Sequence, residues 1–356
     1  MLFTPLTLGE ISLSNRVVMA PLTRSRTDVD GVPNDLLVEH YKQRASIGLI
    51  VTEGTYPSQA GRGFVGQPGL VTDEQLAGWA RVTEAVHAEG GKIVAQVMHA
   101  GRVTHPDTNG GLDVVAPSAI AVQGETRTYK GKQPYTVPVA LTQEGISQVI
   151  NDFVTASKAA INAGFDGVEM HSANGYLLHE FLAPSSNHRD DIYGGSPENR
   201  ARFVIELTKA VVAAVGAEKV GIRISPAHNI QGAVEADLED LRATYLHLVN
   251  EIAPLGLAYL SVLHAEPAAE LVQELRSNFG GPFLVNSGFS TITTAEEARE
   301  IVSTGLADAV VVGRPAIANP DLPRRWQENL PLNEPDFSTF YTPGAKGYTD
   351  YPFYQG

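Results

Sequence analysis

The segment His171-Ser-Ala-Asn-Gly-Tyr176 puts an imidazole, a carboxamide and a phenol within a few residues of one another. Imidazole and carboxamide N–H groups are donors suited to polarising a carbonyl oxygen. A phenol of ordinary pKa stays protonated at neutral pH and can act as a general acid. A tight Asn-Gly turn would face all three the same way. The competing reading is a turn whose polar side chains satisfy buried backbone groups. A lone histidine would favour that reading, but three polar groups at one strand end favour chemistry. Gln96 and Arg223 each sit near the end of a short apolar run. An inward arginine is costly unless it meets an anion, a polar ligand or a carboxylate inside the fold, and the sequence leaves these open. Val285-Asn-Ser-Gly-Phe289 and Val312-Gly-Arg-Pro315 place glycines beside a cation, a pattern that fits a phosphate or a plain turn with a surface arginine.

Other chemistries drop out. The chain has 356 residues and no cysteine, which excludes disulfides, thiolate metal sites, iron–sulfur clusters and thiol nucleophiles. Its ten histidines form no HExxH pattern, and His179-Glu180 lacks a second histidine four residues on, so no metal site is expected. No GxSxG occurs, and no lysine at a strand end offers a Schiff base. A net charge of −14 argues against nonspecific nucleic-acid binding. No apolar run approaches the roughly 18 residues of a membrane span, and Met1–Glu10 has no signal-peptide pattern. A cytoplasmic protein with neither nucleic acid nor membrane as partner is expected, as a monomer or homodimer.

These residues need elements to position them. Short Val/Ile-rich runs recur at Arg16–Ala20, Leu49–Gly54, Lys92–Val97, Asp166–His171, Val220–Ile224, Ala258–Val262, Phe283–Asn286 and Ala309–Gly313. Their lack of alternation predicts strands buried on both faces. Helical patterns lie between them at 73–89, 142–163, 199–215, 236–252, 268–278 and 294–304, with stops at Gly90, Gly164 and Gly305. Eight strand–helix repeats predict a closed (β/α)8 TIM barrel, with residues 1–356 as a single domain. Leu6–Leu13 predicts an N-terminal hairpin that plugs the barrel bottom. Residues 101–141 predict a capping excursion after strand 3, with a β-like pair around Thr126–Val137. Barrel active sites lie at the C-terminal strand ends, where all the residues above fall. The aromatic tail Tyr341–Tyr354 is expected mainly to pack on the barrel.

The chain resembles the Old Yellow Enzyme family of flavin-dependent ene-reductases along almost its whole length. The signatures are Asn15-Arg-Val-Val-Met-Ala-Pro-Leu-Thr-Arg24, Gln96-Val-Met-His-Ala-Gly-Arg102, His171-Ser-Ala-Asn-Gly-Tyr-Leu-Leu178, Asn187-His-Arg-Asp-Asp-Ile-Tyr-Gly-Gly195 and Val312-Gly-Arg-Pro315. The resemblance implies noncovalent FMN. Pro21, Leu22 and Thr23 would line its ring system, with Gly54 beside it and Gln96 and Arg223 at its pyrimidine edge. Gly288, Gly313 and Arg314 would hold the phosphate. It further implies reduction of FMN by NADPH or NADH, then hydride transfer to the β-carbon of an activated alkene such as an enone, enal, maleimide or nitroalkene. Nitro compounds and nitrate esters are further candidate substrates. His171 and Asn174 would bind the activating oxygen, and Tyr176 would protonate the α-carbon.

Thr23 and Asn174 are similar to the class that includes plant, yeast and many bacterial members. Met98 and Phe64 stand where many relatives carry Trp and Tyr, which implies a more open and apolar substrate pocket. Two other functions compete with this reading. A flavin-free phosphate-binding isomerase or lyase would keep Gly288 and Arg314 but leaves Gln96 and Arg223 unexplained. A noncatalytic barrel would not require Tyr176 beside His171 and Asn174.

Overall fold

The computed structural model describes residues 1–356. Eight parallel strands close into a barrel in chain order: Val17–Met19, Leu49–Val51, Ile93–Val97, Gly167–Ser172, Val220–Ile224, Tyr259–Leu263, Phe283–Asn286 and Ala309–Val312. The fourth strand pairs with both the third and the fifth, and the eighth pairs with the first. Each strand matches an expected run to within a few residues. Both faces are buried, one against helices and one against the barrel interior, which is why the runs do not alternate.

The helices follow the same logic. Asp73–Ala88 opens with a capping box in which Thr72 and Gln75 bond reciprocally. Gln143–Asn162 and Ala295–Ser303 open on Thr142 and Thr294 caps. Pro197–Val215, Leu238–Ile252 and Glu270–Phe279 complete the six expected helices. A further helix, Asp35–Gln43, lies between the first two strands and buries Leu37 and Tyr41. No helix is long and apolar enough to cross a membrane.

The expected hairpin is present as Leu6–Leu8 paired with Ile11–Leu13. Its Leu8, Ile11 and Leu13 pack with Val18, Leu49, Val51, Val94, Leu284 and Val311 inside the barrel, so it does close the bottom. Gly9 turns at φ +58, and a side chain there would overlap the Glu218 carbonyl. The excursion after strand 3 carries the antiparallel pair Glu125–Thr128 and Gly131–Pro134. The opposite, C-terminal end of the barrel remains open to a cavity.

Candidate active site

Strand Gly167–Ser172 delivers His171 to the barrel mouth, and a sharp turn follows. Asn174 and Gly175 are both left-handed, at φ +59 and +77. Asparagine tolerates that region and glycine prefers it. A Cβ on Gly175 would stand 2.7 Å from the Ile230 carbonyl oxygen. The turn is tied on all sides. Asn174 N–H donates to Ser225 Oγ at 2.8 Å, and Gly175 N–H donates to His179 Nδ1 at 2.9 Å. Leu177 N–H donates to the His99 carbonyl at 3.1 Å. Gln231 Nε2 donates to the Asn174 carbonyl at 2.6 Å. The outcome is that His171, Asn174 and Tyr176 all line one cavity. The His171 and Tyr176 rings lie edge to face, 5.0 Å apart.

Burial sets their protonation states. Desolvation, reinforced by Arg223 and His179, holds the His171 pKa well below its usual value, so the ring is neutral at pH 7. Desolvation raises the Tyr176 phenol, with a partly opposing hydrogen bond from Gln231, so it keeps its proton. His171 Nδ1, Asn174 Oδ1 and Arg223 Nε are buried with no protein partner. Orphaned buried polar atoms are rare in folded proteins and mark a site awaiting a ligand or water.

The cavity has a volume of about 550 Å³. Gln96, Arg223 and Asn286 form its polar floor, and Pro21, Leu22, Thr23, Gly54 and Met98 form one wall. Met98 folds over Gly54, where an added Cβ would be 2.6 Å from its sulfur. Gly288, at φ +91, and Gly313 also line the cavity, and added Cβ atoms there would meet only the Leu263 and Leu22 side chains, at 3.9 and 3.8 Å. Arg314 lies beside them, over the Phe337 ring, and donates to the Phe289 carbonyl. Arg24, Arg223 and Arg314 line the cavity with no carboxylate among the lining residues, in a chain of net charge −14. Such a cavity matches a planar polar ring that carries a phosphate. The residues present therefore fit FMN: a cation and a carboxamide at the floor, glycines and an arginine at the rim.

The structure gathers every residue expected at the site except Phe64 onto the cavity wall. Phe64 instead packs edge-on against Tyr176, with ring centroids 6.1 Å apart. Residues not singled out in the sequence also line the cavity, among them Ile230, Gln231, Thr291 and Ile292 on loops after strands five and seven. The rule that loops after strands build such sites could have found them. The tail packs on the barrel, as expected, and also reaches the cavity. Tyr348 is buried and stacks on His40 at 3.9 Å, while Phe340 and Tyr341 line the cavity. Arg24 and Arg26 hold the tail through the carbonyls of Thr339, Phe340, Lys346 and Gly347 at 2.6–3.2 Å.

Comparison with known proteins gives a consistent result. Residues 1–333 match the model of the NADH:flavin oxidoreductase / NADH oxidase family. A probable flavin mononucleotide-dependent alkene reductase of Leishmania infantum is 43% identical, over 98% of this chain and 96% of that protein. The solved Old Yellow Enzyme homologue of Zymomonas mobilis is 41% identical, with a TM-score of 0.93 and 99% of each chain covered. Morphinone reductase in complex with tetrahydroNAD is 45% identical, with a TM-score of 0.93, over 99% of this chain and 98% of that one.

Proposed function

Since the chain belongs to the NADH:flavin oxidoreductase / NADH oxidase family and is an Old Yellow Enzyme-type, FMN-dependent alkene reductase, we propose that His171, Asn174 and Tyr176 carry its substrate chemistry. The single observation behind this is the turn that gathers a neutral imidazole, a carboxamide and a protonated phenol on one cavity with arginines and no carboxylate. Bound FMN supplies the redox step, passing a hydride from NADPH or NADH to an electron-poor alkene carbon.

The protein's own groups do the rest. Pro21, Leu22, Thr23 and Gly54 form the wall against which the ring system lies. Gln96 and Arg223 hold its pyrimidine edge, and Arg223 stabilises negative charge there. Gly288, Gly313 and Arg314 hold the phosphate. His171 and Asn174 donate to the carbonyl or nitro oxygen of the alkene, which draws electrons from the β-carbon. A neutral imidazole suits this role, because it polarises the oxygen without giving up a proton. Tyr176 gives its phenolic proton to the α-carbon and recovers one from solvent. Met98 leaves the substrate end more open than Trp would, while Phe64 acts only through its packing on Tyr176.

The substrate class is an activated alkene, with enones, enals, maleimides and nitroalkenes as candidates and nitro compounds or nitrate esters as further ones. The whole chain, 1–356, acts as one FMN-binding domain in the cytoplasm, as a monomer or homodimer, with no nucleic-acid or membrane partner. Its acidic balance and absence of cysteine support that setting. The test is binding of 2-cyclohexenone to the oxidised holoprotein, followed by flavin absorbance. His171→Ala and Asn174→Ala should each weaken binding about tenfold or more, the loss expected for a buried hydrogen bond to a ligand oxygen. Unchanged affinity in both variants would remove this pair from the site.

A further inference from the structure

A layer of polar side chains crosses the barrel between its apolar interior and the cavity. Gln96, Arg223 and Asn286 reach the cavity. Glu169, Tyr259 and Ser261 lie beneath them, essentially inaccessible to solvent. Glu169 is a buried acid that the alkene chemistry does not use. Its Oε1 accepts from Gln96 Nε2 at 2.8 Å, and its Oε2 accepts from the Tyr259 hydroxyl at 3.0 Å. Tyr259 fits because its register partner on the fifth strand is Gly221, where a side chain would overlap the phenol ring.

Two consequences follow. Burial raises the Glu169 carboxyl above its usual value, while Arg223 and the hydrogen bonds from Gln96 and Tyr259 favour the carboxylate. As a carboxylate it only accepts hydrogen bonds, so Gln96 turns its NH2 towards Glu169 and offers its carboxamide oxygen to the cavity. Arg223 donates to Ser261 Oγ at 3.1 Å and Asn286 Oδ1 at 3.4 Å, and makes no direct ion pair. Asn286 is itself fixed by donating to the Val311 carbonyl at 2.7 Å. The charge of Glu169 reaches Arg223 only through space. The floor thus pairs an acceptor with a partly compensated cation. A flavin's pyrimidine edge is the complement: an N–H donor beside atoms that take on negative charge when the ring is reduced.

We propose that Glu169 is a positioning residue for the flavin: it fixes which way the Gln96 carboxamide faces, and its charge, opposing that of Arg223, sets the reduction potential of bound FMN. The proposal rests on FMN occupying the cavity. A negative charge in this dry layer is poorly screened and disfavours further negative charge on the ring above. Removing it leaves Arg223 uncompensated and favours the reduced form.

The experiment is the midpoint potential of the purified holoprotein, measured anaerobically against a reference dye, with FMN affinity of the apoprotein as a second readout. Glu169→Gln removes the charge and keeps an acceptor for Gln96. It should favour reduced over oxidised FMN about tenfold, an upward shift of roughly 30 mV for a two-electron couple, with FMN affinity within about threefold of wild type. Glu169→Leu should raise the potential similarly and also weaken FMN binding about tenfold, because Gln96 loses its anchor. It serves as the charge-free variant should the glutamine protein not fold. Tyr259→Phe keeps the charge and should leave the reduced-to-oxidised preference within about twofold. Unchanged potential in the Glu169 variants, or an equal shift in Tyr259→Phe, would overturn the assignment. Wild-type protein that takes up no FMN would instead refute the reading beneath it.

Discussion

Replacing Tyr176 by Phe separates acid catalysis from everything else the site does. The phenol hydroxyl is the atom removed, and the ring contacts to His171 and Phe64 at 5.0 and 6.1 Å are kept. Its polar interaction with the nearby Gln231 side chain is lost, which costs about 1 kcal/mol of stability at most. Loss of a positioned general acid costs about 10²–10⁴-fold, or roughly 3–5 kcal/mol at 1.36 kcal/mol per tenfold. The catalytic loss therefore outweighs the structural one severalfold. Rapid-mixing spectroscopy follows the two half-reactions apart. Reduction of the holoprotein by NADPH needs no proton from Tyr176 and should stay within about threefold of wild type. Reoxidation by 2-cyclohexenone should slow about 10²-fold or more, and less for alkenes whose α-carbon solvent can protonate. The phenol is raised from its ordinary value by burial, so wild-type reoxidation should show no break from this group between pH 6 and 9. Equal slowing of both half-reactions, or full retention of reoxidation, would refute the role.

Three further outcomes are expected. Glu180, buried beside Arg102, is pushed up to about 8 by desolvation. Its folded-state pKa exceeds its unfolded one, so the native state holds the extra proton and wild type loses stability as pH rises from about 4.5 to 8, by about 1.4 kcal/mol per unit. Glu180→Gln lacks this slope, and its melting temperature relative to wild type should climb by roughly 4 °C from pH 5.5 to 7.5; a flat difference would contradict the buried-acid assignment. Gly175→Ala must carry a side chain at φ +77 into the Ile230 carbonyl, at a cost of about 1–2 kcal/mol. Displacing Gln231 from Asn174 should lower kcat/KM about 10–100-fold with FMN content unchanged, and unaltered kinetics would show that the turn tolerates the shift. Met98→Trp narrows the wall over Gly54 and should change product enantiomeric excess for bulky enones, whereas identical values across several substrates would show that Met98 does not shape the pocket.

Much of this architecture was legible because two local patterns are physically enforced. Strands buried on both faces must be continuously apolar, and Val17–Met19 or Ala309–Val312 show nothing else. Helix ends must satisfy orphan backbone groups, so Thr72, Thr142 and Thr294 mark starts, and Gly90, Gly164 and Gly305 mark stops at φ +77, +93 and +77. The site was legible where chemistry follows directly on a strand end, as in 171–176. It was less legible where tertiary packing decides. Phe64 meets Tyr176 only through the path of its loop. Gln231 enters through a left-handed residue in a loop, at φ +56, whose conformation no local pattern announces. Arg24 and Arg26 act on a tail over 300 residues away, and no local pattern pairs them with it. Glu169 lay in plain view as an acid inside an apolar strand, next but one before His171 and therefore on the same inward face.

The central claim is an FMN-dependent cycle on one cavity, and the visible spectrum tests it most directly. Purified protein should show flavin absorption that bleaches with NADPH under anaerobic conditions and returns when 2-cyclohexenone is added, with one equivalent of cyclohexanone formed. A colourless protein that cannot be reconstituted with FMN would contradict the account, and would return the Gly288–Arg314 rim to the flavin-free phosphate-binding barrel.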